Sequence, residues 1–216
     1  MQFEEKLFFI MRMDEIVETY NYYRGDEDIT EDLLKQSIRE AYCESKLKEK
    51  SINHMTFSIH CDIRVEGDPN LEQIIELDVR SEAKIKYLPP NLVYLDVGCA
   101  SSLLTITEYP ESLRELTIRN YDIEEDIYIP PQIKTFTMLD NHKIKDSLPD
   151  SLEKFVMFDT FASLDNLPAS LKHLELCYYK GDLNNLPCNL ETIKFMIPYE
   201  KEIKNKPKNL EIKTAI

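Results

Sequence analysis

Glycine is scarce in this chain, with four residues among 216. A phosphate cradle of the Gly-rich kind needs several glycines close together, so nucleotide binding of that type is excluded. Basic residues are also in the minority: 26 Lys and Arg against 40 Asp and Glu leave a formal charge of −14. Such a chain offers no basic face to displace counterions from phosphates, which argues against nucleic acid and against an anionic membrane surface. Its one basic run (Lys201, Lys204, Lys206, Lys208 and Lys213) is broken by Glu202 and Glu211 and reads as a solvated end. Long apolar runs are missing too, and nothing approaches the ~18 residues that a spanning helix requires. The opening stretch MQFEEKLFFIMRMDEIVETY has acids on both sides of a short apolar run. A signal peptide would start basic, so none is expected. Cysteines number five (43, 61, 99, 177 and 188), an odd count without CxxC spacing. They read as reduced thiols of a cytoplasmic protein. His60-Cys61, with His54 and Cys43 upstream, matches no zinc-site spacing, so neither a metal nor a cofactor is expected.

What the chain does have is one phrase written many times. LPPNLVYLDV starts at Leu88, YPESLRELTI at Tyr109, IPPQIKTFTM at Ile129, LPDSLEKFVM at Leu148, LPASLKHLEL at Leu167 and LPCNLETIKF at Leu186. The prolines at 89, 110, 130, 149, 168 and 187 are spaced by 21, 20, 19, 19 and 19 residues. A fixed short period over half a chain marks a solenoid, in which each repeat is one turn and touches its neighbours. Leu174 and Leu176 lie two apart and therefore point to one face of a short strand, and Leu171 turns into the same core. Pro168 lacks an N–H and suits the bend before that strand. The return segment, about ten residues, is too short for a full helix, so extended or 3₁₀ backbone is expected there.

Before the repeats the pattern differs. Leu7, Ile10, Met11, Ile16, Val17 and Tyr20 recur at roughly helical intervals. Asp28-Ile-Thr-Glu31 resembles a capping box ahead of a second amphipathic helix carrying Leu34, Ile38 and Tyr42. Residues 1–50 are therefore expected to form a helical cap over the first turn. Between Met55 and Val65 apolar and polar residues alternate, which predicts a strand or hairpin over 51–69 leading into the solenoid. The repeats occupy 70–216, because Ile74-x-x-Leu77-x-Val79 already fits the phrase.

The phrase resembles leucine-rich repeats, and its short Leu-Pro form is most similar to the FNIP repeats of amoebae and giant DNA viruses. The resemblance covers about residues 70–197, and LPASLKHLEL with Phe158 and Phe161 upstream is its closest stretch. Two features depart from it. No Phe-Asn dipeptide occurs, and the asparagine that forms a ladder in ordinary leucine-rich repeats is present only as Asn141. Ala100, Tyr121, Thr160, Tyr179 and Pro198 take that place in other turns. The resemblance implies a β-rich α/β solenoid with a short parallel concave sheet of about seven strands. It also implies a protein partner, met in the host cytoplasm if the source is viral. Relatives of this repeat type often carry an F-box, but residues 1–50 show no clear Leu-Pro opening of that module.

The phasing also writes out the concave face. Glu76, Asp78, Asp96 and Arg80 make its first turns charged, and Asp78 and Asp96 should lie side by side. A carboxylate pair could serve acid–base chemistry, but a solvated acidic row is the simpler reading. No catalytic residue is therefore assigned. In later turns Leu139, Val156, Phe158, Cys177 and Met196 stand outward, with His173 beside them. Exposed apolar groups of this size mark a contact site, so these six residues are the candidate partner-binding set. The expected function is a non-catalytic scaffold binding a protein on this face. The alternatives are a two-partner adaptor docking through the N-terminal helices in an F-box-like or other manner, and an enzyme using the acidic row.

Overall fold

The computed structural model describes residues 7–12, 15–22, 30–32, 35, 54–59, 61–66, 74–79, 84–120, 128–139, 148–158 and 164–215. The chain divides into two compact units, Met1–Leu113 and Arg114–Ile216.

The first unit opens with two strands where a helix is expected. β1 (Leu7–Arg12) pairs antiparallel with β2 (Glu15–Tyr22), from Leu7 opposite Tyr20 to Arg12 opposite Glu15. Helical spacing misleads here because the segments are rich in β-branched and aromatic residues (Phe8, Phe9, Ile10, Ile16, Val17, Thr19, Tyr20, Tyr22), which fit a pleated sheet better than a helix. In the expected second helix Glu31, Asp32 and Lys35 are helical, and Lys35 bonds Glu31 one turn away; the rest of that segment lies outside the described residues. Among the described residues no helical cap covers the repeats.

β2 pairs in parallel with β3 (His54–Ile59), which turns back antiparallel onto β4 (Cys61–Glu66). β4 in turn pairs antiparallel with β5 (Ile74–Val79), with a register shift between Arg64 and Val65. β5 and β6 (Tyr94–Cys99) are parallel, with Leu77 beside Leu95 and Val79 beside Val97. All four of those side chains are fully buried. A 3₁₀ helix, Ala100–Thr105, follows β6 as part of the return segment. Thr105 Oγ1 ties it to Ile85 O at 3.0 Å.

The second unit is built from six parallel strands, one to each repeat: β7 (Glu115–Asn120), β8 (Thr135–Met138), β9 (Lys154–Met157), β10 (His173–Leu176), β11 (Thr192–Phe195) and β12 (Glu211–Thr214). With β5 and β6 this makes eight repeat strands rather than about seven. The additional one is β12, which follows Lys206-Pro207-Lys208-Asn209-Leu210. Register follows the period directly: His173 faces Lys154 on one side and Thr192 on the other, nineteen residues away in each direction. Burial alternates in β8 to β11, with Phe136, Met138, Phe155, Met157, Leu174, Leu176, Ile193 and Phe195 inside. Phe136 and Phe155, neighbours in register, stack with centroids 5.6 Å apart. One short in-register parallel strand per repeat makes this a leucine-rich-repeat-like solenoid.

Two further devices repeat. The carbonyls of Pro89, Pro110, Pro130, Pro149, Pro168, Pro187 and Pro207 each accept the N–H three residues on, closing a tight turn ahead of the strand. The residue before the first core leucine then reaches the preceding turn. Ser112 donates to Leu92 O (2.8 Å), Ser151 to Ile133 O (2.6 Å), Ser170 to Leu152 O (2.7 Å) and Asn189 to Ala169 O (3.0 Å). This polar column satisfies backbone carbonyls ahead of the strands that would otherwise lack a donor.

Candidate protein-binding face

In the second unit the positions that alternate with the core leucines form two outward rows. One runs Thr135, Lys154, His173, Thr192, Glu211, and the other Thr137, Val156, Glu175, Lys194, Lys213. Glu175 sits between two lysines, with Lys154 Nζ at 2.7 Å and Lys194 Nζ at 3.4 Å. Partial burial pushes its pKa up, but the hydrogen bond and charge of Lys154, joined by Lys194, outweigh that and leave it below the ordinary carboxylate value. The carboxylate therefore stays ionised as a fixed bridge among three strands.

His173 Nδ1 lies 2.9 Å from Thr192 Oγ1. That is the reach of a base and a nucleophile, but nucleophilic catalysis also needs a third group to orient the ring. Among the described residues the other ring nitrogen has no partner, and the pair stands on an open sheet face.

Leu139, Val156 and Phe158 are half-buried and Met196 is 42 % exposed. Cys177 departs from the expected set: it is 2 % exposed and cannot serve as a surface contact. It follows β10 in the same ladder that places Phe158 and Met196 after β9 and β11. A short side chain flanked by two long ones lies beneath them. Burial, with the charge of Glu175 adding to it, pushes its thiol up to about 11, so it is not a reactive thiolate.

The structure adds neighbours that the repeat phasing does not show. Tyr178 is 60 % exposed and Ile197 44 % exposed, each directly after a residue of the candidate set, buried Cys177 and exposed Met196. Together with Tyr179, Pro198, Tyr199 and Lys201 they line a groove of about 760 Å³. Tyr178 holds this place with a backbone φ of 62°, in the left-handed region that bulky side chains avoid. Below it, Tyr199 stacks on Phe195 (4.8 Å) and Tyr179 (6.3 Å). The Tyr179 hydroxyl donates to Asp182 O and the Tyr199 hydroxyl to Gly181 O. Tyr179 and Tyr199 fall in or next to the positions where the asparagine ladder is lost, and that substitution is the sequence signal for the groove.

In the first unit the acidic row is real but differently disposed. Asp78 and Asp96 are in register, yet Asp96 is 2 % exposed and accepts the Tyr94 hydroxyl at 2.9 Å. Arg80, expected beside them, lies outside the described residues. Among the described residues no group of three or more His, Cys, Asp or Glu side chains is arranged to hold a metal ion, and no helix is long and apolar enough to cross a membrane.

No family model and no curated protein matches this chain. Among solved structures it is similar to CroV588, described as a novel circular LRR protein, at 15 % identity and a TM-score of 0.38. The similarity covers 94 % of this chain and 41 % of that one, so this chain spans less than half the length of CroV588. The repeat architecture rests on the ladders described above.

Proposed function

We propose that this protein is a non-catalytic scaffold that binds another protein on the outward face of its second unit. Its repeats are then a short Leu-Pro variant of the leucine-rich type, close in kind to FNIP repeats. The observation that carries the reading is Tyr178. A large aromatic side chain stands mostly exposed on a backbone conformation that costs about 1–2 kcal/mol, and folding gains nothing evident from holding it there. Around it Met196 and Ile197 are exposed, Phe158 and Val156 are half-buried, and His173 offers a polar contact. Tyrosine among apolar neighbours is the composition of binding hot spots, since it carries large contact area at little cost in side-chain freedom. A reducing compartment such as the cytoplasm suits the free thiols of Cys99, Cys177 and Cys188.

The test separates binding from stability. Tyr178→Gly removes the contact and relieves the backbone, so the melting temperature should stay level or rise. Capture of the protein's partners from the natural host's lysate should meanwhile fall at least ~30-fold, the equivalent of about 2 kcal/mol. Phe158→Ala should weaken capture in the same direction. Undiminished capture by both variants would move the binding surface elsewhere.

A further inference from the structure

Part of the basic run in the sequence comes to lie beside the groove at Tyr178. Lysines outnumber acids in residues 170–215, whereas before them acids outnumber basic residues almost two to one. The local excess gathers where the groove opens. Lys180 and Lys201 line it, and Lys201 Nζ lies 2.8 Å from an Asp182 oxygen, with both partners more than half exposed. The hydrogen bond and charge of Lys201 hold the Asp182 carboxyl below its ordinary pKa, and the charge of Lys204 adds to them. One carboxylate is therefore shared by two ammonium groups. Lys180 and Lys204 make no ion pair among the described residues. Glu200 is the one acid among the residues that line the groove.

The rest of the groove is apolar. Tyr178, Ile197 and Pro198 stand exposed along it, with Tyr179 and Tyr199 stacked beneath. Its volume of about 760 Å³ is that of a pocket enclosing a small ligand, so a few side chains of a peptide have room there. An apolar wall beside unpaired ammonium groups is complementary to an aliphatic or aromatic side chain beside carboxylates. A basic segment would meet lysines of its own sign. Nucleic acid fits less well, because Asp182 and Glu200 stand among the lysines and would face its phosphates, in a chain of formal charge −14.

We infer that this groove takes an acidic segment of a partner protein, with an aliphatic or aromatic side chain against Tyr178 and Ile197 and neighbouring carboxylates on Lys180, Lys201 and Lys204. The inference rests on the reading of this face as a contact surface and adds the chemistry of what it contacts. The residues before the groove are mostly acidic, so the lysines also decide where on the chain such a segment is held.

Selection of a displayed library of short random peptides on the full chain, with Tyr178→Gly as the counter-selection, tests this. The peptides retained should carry Asp or Glu beside an aliphatic or aromatic residue. In fluorescence anisotropy, a variant carrying both Lys180→Glu and Lys204→Glu should bind them at least ~10-fold more weakly. Glu200→Lys should bind them ~3-fold more tightly, a gain that no loss of folding can imitate. These side chains are exposed, so the melting temperature of each variant should stay near that of the parent. Neutral or basic peptides, or unchanged affinity in the lysine variant, overturn the inference and leave the contact surface at Tyr178 standing. Binding of oligothymidylate as tight as that of the peptides overturns it in favour of a nucleic-acid site. If no retained peptide depends on Tyr178, the inference falls together with the reading it rests on.

Discussion

Strands β10 and β12 hold the same place in the same phrase and meet different fates. Leu174 on β10 is fully buried, whereas Ile212, two turns on and in register with it through Ile193, is 43 % exposed. The residues are alike in size and polarity. What differs is that, among the described residues, β10 has a strand on both sides and β12 has one. In a stack of repeats burial belongs to the neighbours as much as to the residue, and a core position with one described neighbour strand has only part of a core around it.

The largest expected effect comes from the interior strand. Leu174→Ala should cost ~3–5 kcal/mol, because lost transfer energy and an unfilled cavity add together. Ile212→Ala should cost ~1 kcal/mol or less, since much of that side chain is already in water. Urea melts of the two variants beside the parent measure the difference directly. Equal costs would show that β12 is as enclosed in solution as β10.

A second, smaller effect sharpens the same contrast. The turn after β10 is fastened to its successor by the Tyr199 hydroxyl on Gly181 O, while Tyr179 packs so closely on Gly181 that a Cβ there would strike its ring. Gly181→Ala should therefore destabilise by ~1–3 kcal/mol, the usual range for overpacking. Tyr179→Leu, which removes the hydroxyl and shortens the side chain, should make the alanine more tolerable, and a double-mutant cycle reads that coupling.

The smallest effect is electrostatic. Glu153, on an interior turn, receives Lys134 at 2.8 Å and Lys172 at 2.9 Å from the turns on either side, whereas Glu211 finds Lys213 on its own strand. The hydrogen bonds and charges of both lysines lower the Glu153 pKa from 4.5 to about 2. A depressed carboxylate contributes stability above its unfolded pKa, so this contribution should disappear as pH falls from 4.5 towards 2. Carboxyl-detected NMR titration should find the midpoint near 2, and Lys172→Met should move it upward. Because the group is exposed, added salt should reduce the shift.

These contrasts also show what the sequence could and could not disclose. Leu171, Leu174 and Leu176 could be placed in the core from spacing alone, because a strand of period two and a repeat of nineteen leave only one register. The outward placement of Lys154, His173 and Glu175 followed from the same rule. Cys177 lay beyond its reach: the strand ends at Leu176, and past that point burial depends on the lengths of neighbouring side chains rather than on alternation. Tyr178 was hidden for a related reason, since left-handed backbone leaves no mark at a residue other than glycine or asparagine. At 7–22 two periods competed, and leucine and isoleucine spacing favoured the helix while β-branched and aromatic content favoured the strands that form. The serine column was in plain view as Ser112, Ser151 and Ser170, one residue before a core leucine in each turn. A polar residue at a fixed place reads as solvent-facing until its acceptor is seen.

That column has a direction. Ser112, Ser151, Ser170 and Asn189 each hand a hydrogen to a carbonyl of the turn before, so each of these turns arrives with a donor for its predecessor. A duplicated turn slipped between two others would bring both halves of the joint with it and disturb neither. A gene carrying such a unit can lengthen or shorten its product by unequal crossing-over without a matching change anywhere else in the chain. Turn number is then a trait that can change by whole turns without redesign of the rest.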